Sequence, residues 1–248
     1  MDQALEEVEF LIKQRQHHYV CFFEGNLFAR SIHDKSVHDV ISNASLIYPD
    51  GIAIAKEMEW SINERVSRVS GPSFLLRACD YGTKRKWRHY FLGGEDGVAQ
   101  RLAEEIKKKY PEVQIAGCYT PPFRELTEEE ERFVKNDIEK NGTDLLWVGL
   151  GGPKQEFWMQ KHLGKINVPV MLGVGAAFDV HSGNRPWAPG LIRKCGIEWL
   201  FRMISGGKRT LIRNTKCISF LIFVLAYDRI VLLFKKIEQT ERLCVKKQ

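Results

Sequence analysis

Asp50 lies in the tripeptide Pro49-Asp50-Gly51 and is a carboxylate that could take a proton from a hydroxyl nucleophile. It follows the short apolar segment 45–48, which reads as a buried strand. That would put Asp50 at the carboxyl edge of a sheet, where α/β folds place ligands. Pro-Asp-Gly is also a common turn in which the Asp bonds its own backbone, and spacing alone leaves both readings open. A second candidate is Gly149-Leu150-Gly151-Gly152-Pro153-Lys154-Gln155-Glu156, which follows the apolar run 145–148. Glycines let backbone amides approach a ligand, Pro153 suits the first turn of a helix, and a helix N-terminus attracts anions. Gln155 and Glu156 would aim polar groups at the same mouth. The plain alternative is a tight turn.

Two further glycine turns follow apolar strands. Gly93-Gly94-Glu95-Asp96-Gly97 could cradle phosphate through Gly94, but it lacks GxGxxG and no Lys-Ser/Thr pair follows, so a tight strand-to-helix turn competes. In Gly173-Val174-Gly175-Ala176-Ala177-Phe178-Asp179, the last residue could bond a ribose or sugar hydroxyl, or cap the following turn. Arg202, Arg209 and Arg213 are spaced seven and four apart and could share one helical face, which suits a diphosphate or a merely solvated basic surface.

The elements that must hold these residues alternate. Segments 19–23, 45–48, 89–92, 113–116, 145–148 and 168–174 read as strands. Helical spacing covers 1–16, 27–32, 37–43, 52–60, 73–81 and 98–109, the run after Pro153, and a stretch to about Lys140 opened by the capping box Thr127-Glu-Glu-Glu130. The expected fold class is α/β: a Rossmann-like, mostly parallel sheet with helices on both faces and a basic, partly apolar helical C-terminal appendage. The core would span 1–195 and the appendage 196–248.

Composition narrows the classes. The 248 residues are 44% hydrophobic and 27% charged, an ordinary soluble balance. No apolar run follows a basic start, so no signal peptide is expected. Six cysteines are scattered without a CxxC pair, which argues against a zinc site and for reduced thiols. Residues 200–248 carry eleven Lys/Arg against three acids, a balance of +8 within a net +6, leaving −2 for the rest. A basic tail points to phosphate or an anionic membrane surface. Within it, 217–234 is mostly apolar but interrupted by Asp228-Arg229, so an interfacial element is favoured over a span, with protein packing as the alternative. Aromatic interleaving of the base-stacking kind is missing from the tail, so nucleic acid is not expected.

Six ordered blocks carry a resemblance: Tyr-Pro-Asp-Gly (48–51), Arg-Val-Ser-Gly-Pro (68–72), Phe-Leu-Gly-Gly (91–94), 148–156, 173–183 and Gly-Ile-Glu-Trp-Leu-Phe-Arg (196–202). Together they make the chain, over about 20–213, resemble the WecG/TagA/CpsF family of bacterial glycosyltransferases. The resemblance implies an inverting enzyme needing neither cofactor nor metal, peripheral on the cytoplasmic membrane face. Such enzymes move a sugar from a UDP-sugar to a polyprenyl-diphosphate-linked saccharide and often form homo-oligomers. It implies Asp50 as general base, Arg68 and Gln155 in the substrate pocket, and Arg202, Arg209 and Arg213 on the leaving diphosphate. The chain departs from the family pattern at Glu24-Gly25-Asn26, where relatives read Thr-Leu-Asn; Asn26 still matches. It departs again at Arg185-Pro186-Trp187-Ala188-Pro189, where relatives read Arg-Ala-Pro. Both lie where donor and acceptor would be sorted, so the donor sugar stays open. The rival readings are a UDP-sugar epimerase or dehydrogenase, which would need a dinucleotide fingerprint, and a membrane-docked scaffold without catalysis.

Overall fold

In the computed structural model, residues 1–194, together with Glu198 and Phe201, are described. The chain divides into two units, Met1–Gly196 and Ile197–Gln248. The sheet and the helices around it belong to the first unit. The expected arginines Arg202, Arg209 and Arg213 and the apolar tail segment lie outside the described residues.

Strands β1 (His18–Phe23), β2 (Leu46–Pro49), β3 (Arg88–Gly93), β4 (Gln114–Tyr119), β5 (Leu145–Gly149) and β6 (Val170–Gly173) form one sheet in the order β2-β1-β6-β5-β3-β4. Every neighbouring pair is parallel. An all-parallel sheet must be covered on both faces, and the strand residues divide accordingly. Val20, Phe22, Phe91, Trp147 and Leu172 enter one apolar cluster with α1 (Asp2–Gln14), α5 (Gly71–Thr83), α6 (Val98–Lys109) and α9 (Ala177–His181). Tyr19, Cys21, Tyr90, Leu92, Leu146 and Met171 enter another with α7 (Glu128–Lys140) and α8 (Lys154–His162). A third, smaller cluster joins α2 (Gly25–His33) and α3 (Lys35–Ser42) through Leu27, Val37, Val40 and Ile41.

The expected elements appear with shifts at their ends. The helix over 98–109 is found at those bounds, and Thr127 and Glu130 form the reciprocal capping box that opens α7. The fourth strand starts one residue later and runs three further than 113–116. Pro153 is the N-cap of α8 rather than its first helical residue. Two short helices, α9 and α10 (Gly190–Lys194), have no counterpart among the expected elements; five residues are too few for a 3.6-residue period to show. The helix α4 (Ile52–Ile62) follows β2 after the intervening Asp50-Gly51.

One glycine pair sets the close packing of the sheet edge. Gly93 pairs with Gly149 across β3 and β5 at φ 133°, and a Cβ there would stand 2.6 Å from the Gly149 backbone. A Cβ on Gly149 would in turn meet the Phe178 ring at 2.6 Å. These two glycines let the strand ends touch and α9 settle on them.

Candidate active site

Parallel pairing brings the carboxyl ends of all six strands to one edge, and the sequence-predicted residues gather there on the loops. Asp50 follows β2, Glu24 and Asn26 follow β1, Gly175 follows β6, and Gly151 to Glu156 follow β5. Three inter-strand steps separate β2 from β5, so at ~4.8 Å per step Asp50 and the 149–153 turn stand roughly 14 Å apart. The edge therefore carries two separate groups of candidate residues.

At the first end Asp50 is held from several sides. Its backbone N–H donates to the Phe23 carbonyl at 2.9 Å, tying it to β1. Its Oδ2 accepts the Gly71 N–H at 3.1 Å, and Arg68 Nη2 stands 3.6 Å from its Oδ1. Gly71 opens α5, whose own N-cap Ser70 makes no side-chain cap bond. Asp50 thus serves as a remote acceptor for an N-terminal amide of a 13-residue helix, where a negative group is favoured. The two side chains are only 14% and 18% exposed for Asp50 and Arg68. Arg68 Nη1 also donates to the Arg193 carbonyl at 3.2 Å. Behind this corner His181 Nε2 donates to the Pro72 carbonyl at 2.7 Å and its ring meets Trp187 edge-on, while the Arg193 guanidinium lies over Trp187 at 3.7 Å. Burial lowers the His181 pKa, against the raising effect of its bond to the Pro72 carbonyl.

The second end is built from α8. Gln155 is 5% exposed; its Oε1 accepts the Gly151 N–H at 3.2 Å and its Nε2 donates to Glu156 Oε1 at 2.9 Å. Glu156 is 0% exposed, and its Oε2 has no hydrogen-bond partner among the described residues. Burial pushes its pKa up to about 7, against the lowering effect of the Gln155 bond, and the nearby Glu24 adds to the rise. Asn26 Nδ2 donates to Glu24 Oε1 at 3.4 Å, and Asn26 Oδ1 is buried without a partner among the described residues.

This geometry revises several sequence expectations. In the 149–153 turn the Gly151 amide is occupied by Gln155, and two carboxyl groups, Glu24 and Glu156, lie close by, which disfavours an anion there. The Glu24 carboxyl group and Asn26 Oδ1 leave acceptors at this end, which suits hydroxyl or N–H donors better than phosphate. Gly94 is likewise a packing residue. Its N–H donates to the Gly149 carbonyl at 3.0 Å, and a Cβ would meet Val98 at 2.7 Å. Asp179 has both oxygens engaged, by Arg185 Nε at 3.1 Å and Asn184 Nδ2 at 3.0 Å. It braces the following turn. Sequence reasoning does not find Gly71 as the partner of Asp50; the only signal for it is its place in the Arg-Val-Ser-Gly-Pro block. Among the described residues, no group of three or more His, Cys, Asp or Glu side chains could hold a metal ion. No helix among them is long and apolar enough to cross a membrane.

Comparison with known proteins adds an independent line. Residues 1–231 match the glycosyl transferase WecG/TagA/CpsF family. The chain is 28% identical over 174 residues to the N-acetylglucosaminyldiphosphoundecaprenol N-acetyl-beta-D-mannosaminyltransferase of Bacillus subtilis strain 168, covering 70% of this chain and 66% of that protein. The protein of the same name from Bacillus spizizenii is 29% identical over 170 residues, covering 68% and 64%. One from Staphylococcus aureus strain MRSA252 is 28% identical over 188 residues, covering 76% and 71%. The aligned region thus spans slightly under two thirds of the length of the two Bacillus relatives.

Proposed function

This chain belongs to the WecG/TagA/CpsF family of glycosyl transferases, and from that premise we propose that it is an inverting glycosyltransferase. It moves a hexose or N-acetylhexosamine from a UDP-sugar to a lipid-diphosphate-linked saccharide in the building of a bacterial surface polysaccharide. The observation that carries the reading is the pinned carboxylate: Asp50, held by the Gly71 amide and flanked by Arg68 at the carboxyl edge of the sheet. The names of the relatives describe transfer of N-acetylmannosamine to an N-acetylglucosaminyl-diphospho lipid, and an acceptor of that class suits a cleft with a base at one end.

The reaction is a direct displacement. The acceptor hydroxyl oxygen bonds to the anomeric carbon as the bond from that carbon to the diphosphate breaks. The hydroxyl proton passes to Asp50, and UDP leaves with the electron pair. Arg68 offers a guanidinium fork to the developing charge without a metal. The family resemblance implies the same role for Arg202, Arg209 and Arg213, which lie outside the described residues. Asn26 faces the end suited to sugar hydroxyls, and the buried Gln155 and Glu156 shape that end from beneath. The catalytic work takes place at the membrane face, where the acceptor lipid is anchored.

A nucleotide-sugar epimerase or dehydrogenase fits less well. Such enzymes hold a dinucleotide on free glycine amides, whereas the Gly94 and Gly151 amides are both bonded internally. The deciding experiment is a UDP-sugar screen with a short-chain lipid-diphosphate acceptor, reading product mass. A product heavier than the acceptor by one glycosyl residue supports transfer. An acceptor recovered unchanged with every donor, or an NAD-dependent change in the donor alone, overturns it.

A further inference from the structure

The fully buried Glu156 has a single side-chain hydrogen-bond donor among the described residues, the Gln155 amide, and no cation among them beside it. Titratable and apolar groups surround it from several elements. β1 contributes Tyr19 and Cys21, whose own pKa values Glu156 helps to raise, and the start of α2 contributes the Glu24 carboxyl. The nearby apolar cluster supplies Leu27, Val37, Val40 and Ile41 from α2 and α3. Above it, a Cβ built on Gly152 would lie 3.4 Å from its Oε2 and 3.6 Å from Leu27 Cδ1, so the turn backbone closes directly over the carboxyl group. An ionised carboxylate in this place would be a buried charge facing a second acid, which is costly unless the site opens to water.

We infer that Glu156 acts as a positioning residue in its neutral, protonated form, locking the Gln155 amide and through it the Gly151 turn that forms one end of the cleft. The neutral acid accepts from Gln155 Nε2, which leaves Gln155 Oε1 turned to the Gly151 N–H. One carboxyl group therefore decides which way the amide faces. The Gln155 bond alone would favour the ionised form, but a buried charge facing Glu24 would draw water under the 149–153 turn on ionisation, and that water would loosen the orientation. The effect on transfer rests on the glycosyltransferase reading; the effect on the fold does not.

The raised pKa fixes the sign of the pH dependence. With a folded-state pKa of about 7 against 4.5 for the ordinary group, folded and unfolded chains are both protonated below pH 4.5. Between 4.5 and 7 the folded protein retains a proton that the unfolded chain has released, so stability falls as pH rises, and it levels off above 7. Glu156→Gln is neutral at every pH and keeps both hydrogen bonds. Its melting temperature should therefore exceed that of the wild type by a margin that widens from pH 5 to pH 8. In the transfer assay the wild type should lose about tenfold in kcat/KM between pH 7 and pH 8.5. Glu156→Gln should stay within threefold of the wild type at pH 6.5 and lose this alkaline decline. Glu156→Leu, neutral but unable to accept from Gln155, should lose at least tenfold at every pH, mainly through KM. Parallel melting curves for wild type and Glu156→Gln across pH would overturn the inference even if transfer is never detected. So would a Glu156→Gln variant as poor as Glu156→Leu. If the Leu variant does not fold, the Gln variant alone carries the test. A wild type that transfers no sugar yet shows the widening melting difference refutes the enzyme reading and leaves the neutral acid standing.

Discussion

Asp50 meets a guanidinium and a helix N-terminal amide, whereas Glu156, at the other end of the same sheet edge, meets a side-chain amide, a second acid and apolar helices. Both are carboxyl groups placed by a turn after a parallel strand. Their surroundings differ in the two features that govern a carboxyl group: access to opposite charge and access to solvent. Asp50 keeps 14% of its side chain exposed beside Arg68; Glu156 has no exposure. On the glycosyltransferase reading, the contrast separates a proton acceptor from a brace along one sheet edge. An acid that must accept a proton from a substrate has to reach it, and an acid that must hold an amide in one orientation is better sealed.

The largest expected effect breaks the comparison at Asp50. Asp50→Asn keeps an oxygen for the Gly71 N–H, so the start of α5 should hold and UDP should still bind. It removes the base, and turnover should fall by about 10²–10⁴. Turnover within threefold of wild type would remove Asp50 from the proton transfer. Arg68→Lys comes next: it retains charge but not the fork that reaches both Asp50 and the Arg193 carbonyl. A loss of about tenfold or more in kcat/KM is expected. If Arg68 supplies the charge a metal would otherwise supply, EDTA should leave the wild-type rate within twofold.

Much of this framework is legible in the sequence because it is local. The apolar run 145–148, the capping box at Thr127 and Glu130 and the amphipathic 98–109 each declare themselves within one window, and all appear in the fold. Asp50 can be placed at the sheet edge for the same reason. Its partner cannot: Gly71 lies 21 residues away, and nothing in Pro-Asp-Gly says which amide will arrive. The glycine turns mislead in the opposite direction. Gly94 and Gly151 look like free amides because spacing shows where a side chain is missing, not which acceptor the backbone meets after folding. Glu156 reads as a polar group aimed at the mouth. The structure buries it, because α8 lies against β1 and the α2–α3 cluster, contacts made over more than a hundred residues of chain.

Gln155 sharpens the second end. Gln155→Leu strands the Gly151 N–H and removes the only side-chain donor to Glu156 among the described residues. An unsatisfied buried group costs about 1–3 kcal/mol, or several degrees at about 2–4 °C per kcal/mol for a chain of this size. Substrate affinity should fall with it. A loss of affinity without any fall in melting temperature would mean that Gln155 touches substrate and has no part in shaping the turn.

The smallest effect is expected at Gly151, set against Gly93, a second glycine with positive φ. Gly93, at φ 133°, has the Gly149 backbone 2.6 Å from where a Cβ would sit, while Gly151, at φ 78°, has nothing within 4 Å. Gly93→Ala must push the β3 and β5 ends apart, so it should cost more than about 3 kcal/mol in strain and lost packing. Gly151→Ala meets no neighbour and bears only the conformational cost of a left-handed alanine, about 1–2 kcal/mol. If the turn borders the substrate, the added methyl group would meet it, so the melting temperature should drop by a few degrees while KM for one substrate rises. If instead Gly151→Ala leaves KM unchanged for both donor and acceptor, the 149–153 turn forms no wall of the site. The acceptor-rich end at Glu24 and Asn26 would then have to bind its ligand from the β1 side.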